Sequence, residues 1–322
     1  MPKNRLRPLI FVGIAAPFVV LPLILGEYQL NTLLLGLIWM IVNVSYRLLA
    51  TTGEFSLGHV VIMGIGGYTS ALLAQHFGLP FWVSMPMGGL VAAAFAAATA
   101  YPLFRMKGFY FFLGSFALGE AVRLCWVRWM TPFGGHSGLP YIPAPSLGSF
   151  TFNTTFHYYY LTLGTAAACL AVMYLIDISR IGKTLRAIHS QDSLCASLGI
   201  NILGYKTLAY ITASFFAGIA GALLVHYMSH VGPSQFSLMY MLYVLVWIVV
   251  GGLNTYWGPI VGVLTLYSIQ EALRARLAEY MPMFYGIILI AMVFALPGGL
   301  ESLPSRIMEW LKARREKLAA VS

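Results

Sequence analysis

The chain has 322 residues, of which 59% are hydrophobic and 9% charged, and it carries a formal net charge of +9. At a mean hydropathy of +0.80 it has too little polar surface to cover a water-soluble globule, which leaves a polytopic membrane protein. The basic excess does not point to nucleic acid, because the Lys and Arg residues are spread over loops with no interleaved aromatic reading surface.

Apolar windows of about 20 residues, enough to cross about 30 Å of hydrocarbon, predict spans near 8–26, 29–50, 59–76, 80–104, 108–128, 158–178, 207–230, 238–254, 257–275 and 283–296, about ten in all. The runs are apolar on all sides, without the alternation of a membrane barrel, so backbone groups must be satisfied inside helices. The expected fold is all-α, a helical bundle forming a single transmembrane domain over residues 1 to 322. Lys3, Arg5 and Arg7 before an apolar run resemble a signal sequence, but the run is long and Ala15-Ala16 precede Pro17, a poor cleavage context. The segment reads as a retained first span. An even number of spans places both termini in the cytoplasm. Of the 19 Lys and Arg, only Arg128, Arg274 and Arg276 then fall outside and Arg123 within a span.

Between the second and third spans, Thr51 to His59 interrupt the apolar pattern with glycines, hydroxyls, an acid and an imidazole. Glycines there allow a sharp turn, and the free N–H groups of the next helix suit a carboxylate. Gly53, Glu54, Ser56, Gly58 and His59 are therefore candidates for the translocation path or its gate, with helix packing as the alternative. Gly64, Gly66, Gly67, Ser70 and Ala71 supply small faces for close helix approach. Glu120 and Arg123 are expected to be the only charges well inside a span, and at i, i+3 they neutralise one another. They form either part of a wetted path that bears on a zwitterionic solute or a structural pair near the outer interface.

The longest outer loop, 131 to 157, contains Pro132, Pro140, Pro143 and Pro145 and should be extended and turn-rich. Tyr158, Tyr159 and Tyr160 follow it where interfacial anchors are expected. The polar, basic segment 179 to 206 is the conspicuous water-facing stretch between spans. In a membrane protein with no catalytic domain of its own, such a segment is offered to a soluble partner. Within it, Ser190 as N-cap, Asp192 in the first turn and Gly199 as terminator predict a helix of about two turns. So short a helix needs partner contacts to persist, either in a groove on a soluble subunit or on the lipid surface. A second glycine-rich break, 251 to 259, hints at an internal repeat. The tail, 301 to 322, alternates both charge signs, as suits a short solvated helix at the membrane surface.

Cys125, Cys169 and Cys195 lack metal or disulfide spacing and are read as packing residues. No phosphate-binding loop and no HExxH, GxSxG or clustered His and Cys pattern occurs, so neither catalysis nor a cofactor nor a metal is expected of this chain. Active transport must then be driven by an ion gradient or by a bound ATPase. An ion-coupled carrier ordinarily buries several ionisable groups near the midplane, and Glu120 with Arg123 are few.

Gly53-Glu54-Phe55-Ser56-Leu57-Gly58-His59, Gly134-Gly135-His136-Ser137-Gly138-Leu139, Arg186-Ala187-Ile188 and Leu198-Gly199-Ile200-Asn201, in that order, resemble the branched-chain amino acid ABC importer permeases. The likeness continues through Ala217 to Leu223, Val250 to Leu253, Trp257-Gly258-Pro259 and Pro297-Gly298-Gly299-Leu300, in an order similar to the LivM-type rather than the LivH-type subunit. The resemblance implies a multi-pass permease of the bacterial inner membrane, surrounded by lipid and working by alternating access. It also implies a second, related permease, two ATP-binding cassette subunits that use ATP and Mg, and a periplasmic solute-binding protein. In that family the cytoplasmic loop is the coupling helix that touches the ATPase, which implies the same for Asp192, Ser193, Cys195, Leu198, Gly199, Ile200 and Asn201. Relatives commonly carry an acid and paired alanines where this chain has Ser193, Leu194 and Cys195. Sidedness and resemblance together place Gly134, Gly135, His136, Ser137 and Gly138 near the docking face for the binding protein. The family also includes permeases for urea and short-chain amides, and these motifs do not separate the solutes.

Overall fold

The computed structural model describes residues 18 to 303 apart from 107, 149 and 297. Most of the predicted first span at 8–26, with Lys3, Arg5 and Arg7, lies outside the described residues, as does most of the charged tail. Among the described residues, six helices are long and apolar enough to cross a membrane: α1 (Glu27–Ala50), α2 (His59–Phe77), α3 (Phe81–Arg105), α4 (Phe109–Arg128), α5 (Thr155–Ile178) and α8 (Ile202–Met228). Between the last two lie α6 (Arg180–Ser190) and α7 (Asp192–Ser197), and after them come α9 (Leu238–Gly251), α10 (Gly258–Leu277) and α11 (Met281–Ala295).

The connections sort onto two faces. Glu54 meets Lys206, Arg47 reaches the carbonyls of Leu253 and Asn254, and Glu301 accepts from the backbone of Asn254, so the 51–58, 179–206, 252–257 and 296–303 connections share one face. At the other end Gln75 donates to the Pro140 carbonyl and Trp82 to that of Ser146, while β1 (Leu139–Pro140) pairs with β4 (His230–Val231). A second short ladder, β2 (Ser146–Leu147) with β3 (Phe150–Thr151), folds the long loop back on itself. Connections that the charge pattern assigns inside therefore share one face, and those it assigns outside share the other.

The centre is built on small residues. A Cβ at Gly221 would overlap the Met63 carbonyl oxygen and one at Gly66 the Gly218 backbone, so α8 lies against α2 at backbone distance. Gly88 and Gly89 bring α3 onto the same seam, where Gly88 faces the Gly66 carbonyl. Ala92, Ala96, Ala213, Ala217 and Ala220 fill the rest of it and are fully buried.

Two expectations change. The span predicted to 254 ends at Gly251, because Gly252 takes a φ of +109° beside the Glu301 carboxylate. At 1.5 Å per residue, α9 is then only about 21 Å long. Tyr158 and Tyr159 are not an interfacial belt: both are buried, donating to the carbonyls of Leu223 and Phe18. Phenol hydroxyls close inter-helix contacts there, which an apolar window cannot distinguish from anchoring at a lipid surface.

Candidate functional site

The polar segment folds as two helices. Ser179 caps α6, its Oγ accepting from Ile181 N at 3.1 Å and donating to Ile176 O at 2.7 Å. Leu185 and Ile188 on α6 are buried, so α6 lies against the spans and does not stand free in water. Ser190, predicted as an N-cap, is instead the last residue of α6 and donates to Arg186 O, while Gln191 occupies the cap position of α7. The amphipathic face of α6 carries that helix as far as Ser190, which moves the cap of the next helix one residue on, to Gln191. Gly199, at φ +79°, ends the turn as predicted, and Ile200 N closes onto Cys195 O. Asn201 belongs to the next element: its Oδ1 caps α8 by accepting from Gly204 N.

Cys195 is buried beneath α7, whereas Leu194 on α7 and Leu198 at its C-cap, four positions on, are 53% and 73% exposed. Asp192 and Ser193 are exposed beside them. A short helix thus presents two leucines to the surroundings while its cysteine anchors it.

Two ion-pair lines tie this segment to the spans. Asp177, at the end of α5, accepts from Arg47 Nη1 at 2.9 Å and from Arg186 Nη1 at 2.8 Å, and its carbonyl accepts from Arg186 Nη2. Arg47 also donates through Nε to Leu253 O at 3.1 Å, which draws the second glycine-rich break onto the same cluster. Glu301 fixes that break from the other side, accepting from Asn254 N and Thr255 N. The second line runs from Lys206 Nζ to Glu54 Oε1 at 2.7 Å. Glu54 Oε2 is buried with no partner among the described residues, so one half of this carboxylate is uncommitted.

The 53–59 turn therefore meets the 179–206 segment. Gly53, at φ +86°, passes so close to His189 that a Cβ would sit 2.8 Å from Nδ1, and a cavity of about 340 Å³ lies between Glu54, Gly53, Gln191, Asp192 and Lys206. Gly58 N donates to Ser56 Oγ, Leu57 N to Ser115 Oγ, and His59 Nε2 lies 3.0 Å from Ser45 Oγ. His59 is wholly buried. These contacts make the turn a rigid bridge between α1, α2 and α4.

The remaining candidates lie elsewhere. Glu120 and Arg123 bond to each other through Arg123 Nε and Nη2, and the cavity that Glu120 lines measures about 10 Å³, room for one water at most. They are not the only charges within helices: Glu271 on α10 is 7% exposed and Asp177 8%. On the far face Gly134 and Gly138 adopt positive φ, and a Cβ on Gly138 would overlap the Val231 carbonyl, so these glycines and the buried Gly135 shape the loop. Only His136 and Ser137 of the set are exposed.

Sequence reasoning passed over Arg47, Asp177, Glu271 and Glu301 as site residues. Asp177 and Glu271 did carry a signal, since an acid inside an apolar helix costs about 2.5 to 3.5 kcal/mol and calls for a partner. Nothing local marked Arg47, whose partner lies 130 positions away.

A helical chain with several helices long and apolar enough to cross a membrane, and a tethered, outward-facing helix on one face, is a multi-pass membrane protein. Residues 28–296 match the family described as branched-chain amino acid transport system / permease component, and the chain belongs to that family. The high-affinity branched-chain amino acid transport system permease protein LivM of Salmonella typhimurium is 28% identical, and that of Escherichia coli K12 is 29% identical. Each match covers 92% of this chain and 74% of the relative. No solved structure matches the chain.

Proposed function

We propose that this chain is one of two permease subunits of an ATP-driven importer for branched-chain or similar amino acids in the bacterial inner membrane. The observation that carries the reading is α7, which shows Leu194 and Leu198 outward and is tied to the spans through Arg186–Asp177–Arg47 and Lys206–Glu54. In this reading both termini are cytoplasmic, about ten spans cross the bilayer, and the α7 leucines seat in a groove on an ATP-binding cassette subunit. A second, related permease, two cassettes using ATP and Mg, and a periplasmic solute-binding protein complete the assembly.

Closure of the cassette pair on ATP displaces α7. Cys195 and the buried side of α6 transmit the displacement, and the ion pairs pass it to α1, α5 and α8, whose ends they join. Moving those ends together opens the path to one side at a time. His136 and Ser137 on the opposite face suit contact with the binding protein.

The test is to co-express the chain with its genomic neighbours, purify it, and measure ATP hydrolysis with a leucine-loaded binding protein. A copurified ATPase that leucine-loaded protein stimulates is the expected result. Stimulation by a urea- or amide-loaded protein instead would change the solute, and absence of any ATPase would leave an ion-coupled carrier.

A further inference from the structure

A second cavity lies apart from the coupling segment. It measures about 350 Å³, within the range of about 300 to 1,000 Å³ for ligand sites, and lies at the end of the bundle away from α7. Its walls come from the first half of α1, the last turns of α8, the first half of α9, the second half of α10 and the start of α11. Trp39 on its wall lies about 18 Å along α1, so the cavity reaches from that face toward mid-bundle.

Its chemistry is asymmetric. Leu35, Leu224 and Met281 supply apolar wall, while Glu271 and Arg274 face the same space. Glu271 Oε1 accepts from Arg274 Nη1 at 3.1 Å, and Oε2 takes no hydrogen bond from the described residues. Arg274 engages only that one nitrogen among the described residues and keeps 65% of its side chain exposed, against 8% for Glu271. Here a sunken carboxylate with one open oxygen stands beside a guanidinium with an open fork. The frame is stiff: Trp247 Nε1 donates to Tyr285 Oη, which donates to Gln270 Oε1, and Trp39 packs edge-on against Trp247 at 5.4 Å.

We propose that this cavity is a solute chamber for a zwitterionic α-amino acid with an apolar side chain, Glu271 receiving its ammonium, Arg274 its carboxylate, and Leu35, Leu224 and Met281 its side chain. The zwitterion brings one charge of each sign to a pair that has one of each, so binding adds two charge-assisted contacts without net charge. A neutral solute such as urea offers neither. The proposal rests on the importer reading for its choice of solute.

The test uses the transporter purified with its partner subunits in lipid nanodiscs, without binding protein. Radiolabelled leucine is titrated, then competed with leucinamide, which lacks the carboxylate, and with 4-methylpentanoate, which lacks the ammonium. Leucine should outcompete both on the unmodified transporter. Arg274→Gln should weaken leucine by about tenfold or more and leave leucinamide unchanged, and Glu271→Gln should weaken leucine likewise and leave 4-methylpentanoate unchanged. Leu35→Trp removes volume and no charge, and should exclude leucine while admitting glycine.

Equal loss of all ligands in the charge variants, or unchanged leucine affinity in Leu35→Trp, overturns the proposal. If the ATPase copurifies and leucine does not bind, the chamber alone falls. If no ATPase copurifies, the importer reading falls, and leucine titration of the chain as purified decides the chamber separately.

Discussion

Asp177 accepts two arginines of unlike surroundings: the Arg47 side chain is 2% exposed and that of Arg186 40%. Removing one member of a buried pair strands the other, which costs about 3 to 5 kcal/mol, whereas an exposed partner contributes about 1 kcal/mol or less. Asp177→Asn should therefore lower stability by about 3 to 5 kcal/mol, because Arg47 has no second carboxylate within reach among the described residues. Arg186→Gln should cost about 1 kcal/mol at most. Replacing Arg47 and Asp177 together by Met and Leu should recover most of the loss. Denaturant unfolding in detergent measures all three, and equal losses for Asp177→Asn and Arg186→Gln would remove Asp177 from its central place. Its bonds join α1, α5 and α6, and Arg47 adds the 252–257 turn.

Among the elements, α7 and the α2–α8 seam behave oppositely toward substitution. Leu194 and Leu198 are surface residues, so the double change to Asp should leave stability within about 0.5 kcal/mol and yet abolish capture of an ATPase in a pull-down. Retained capture would mean that α7 is not the docking element. Gly221 has no room for even a methyl group against Met63, so Gly221→Ala should destabilise by about 1 to 3 kcal/mol. Gly164 on α5 has open space around it, and Gly164→Ala should be neutral or slightly stabilising in the same denaturant unfolding. Both behaviours follow from features legible in sequence. The segment around Asp192 stood out as polar within an apolar chain, and the small face of α2 stood out by its glycines. The exact helix was not legible, since Ser190 had the chemistry of a cap but the buried stripe of Leu185 and Ile188 on α6 decided where the helix ended. Glu120 and Arg123 were conspicuous because both lie in one predicted span and can pair locally. Glu271 escaped notice because Arg274 was drawn outside the membrane, and the cavity they line is assembled from five helices far apart in the chain.

At the scale of the molecule, two faces with unlike chemistry must lie on opposite sides of a membrane for the proposed mechanism to work. One carries α6 and α7 with Arg180, Lys183, Arg186 and Lys206; the other carries the 129–154 loop and opens onto the cavity beside Arg274. A bias of Lys and Arg toward one set of short loops favours that set in the cytoplasm, so the proposed function puts the α6–α7 face inside. The Ser137 and Ser193 positions sample the two faces, and both are exposed. With Cys125, Cys169 and Cys195 replaced by Ala, Ser137→Cys should react with a membrane-impermeant maleimide in intact cells whose outer membrane admits it. Ser193→Cys should react only after the inner membrane is opened. The opposite pattern would invert the bundle and place α7 where no ATP-hydrolysing partner can reach it, ending the coupling reading. The same pattern on one side for both residues would mean that the spans do not separate the two faces, and alternating access would have no path to control.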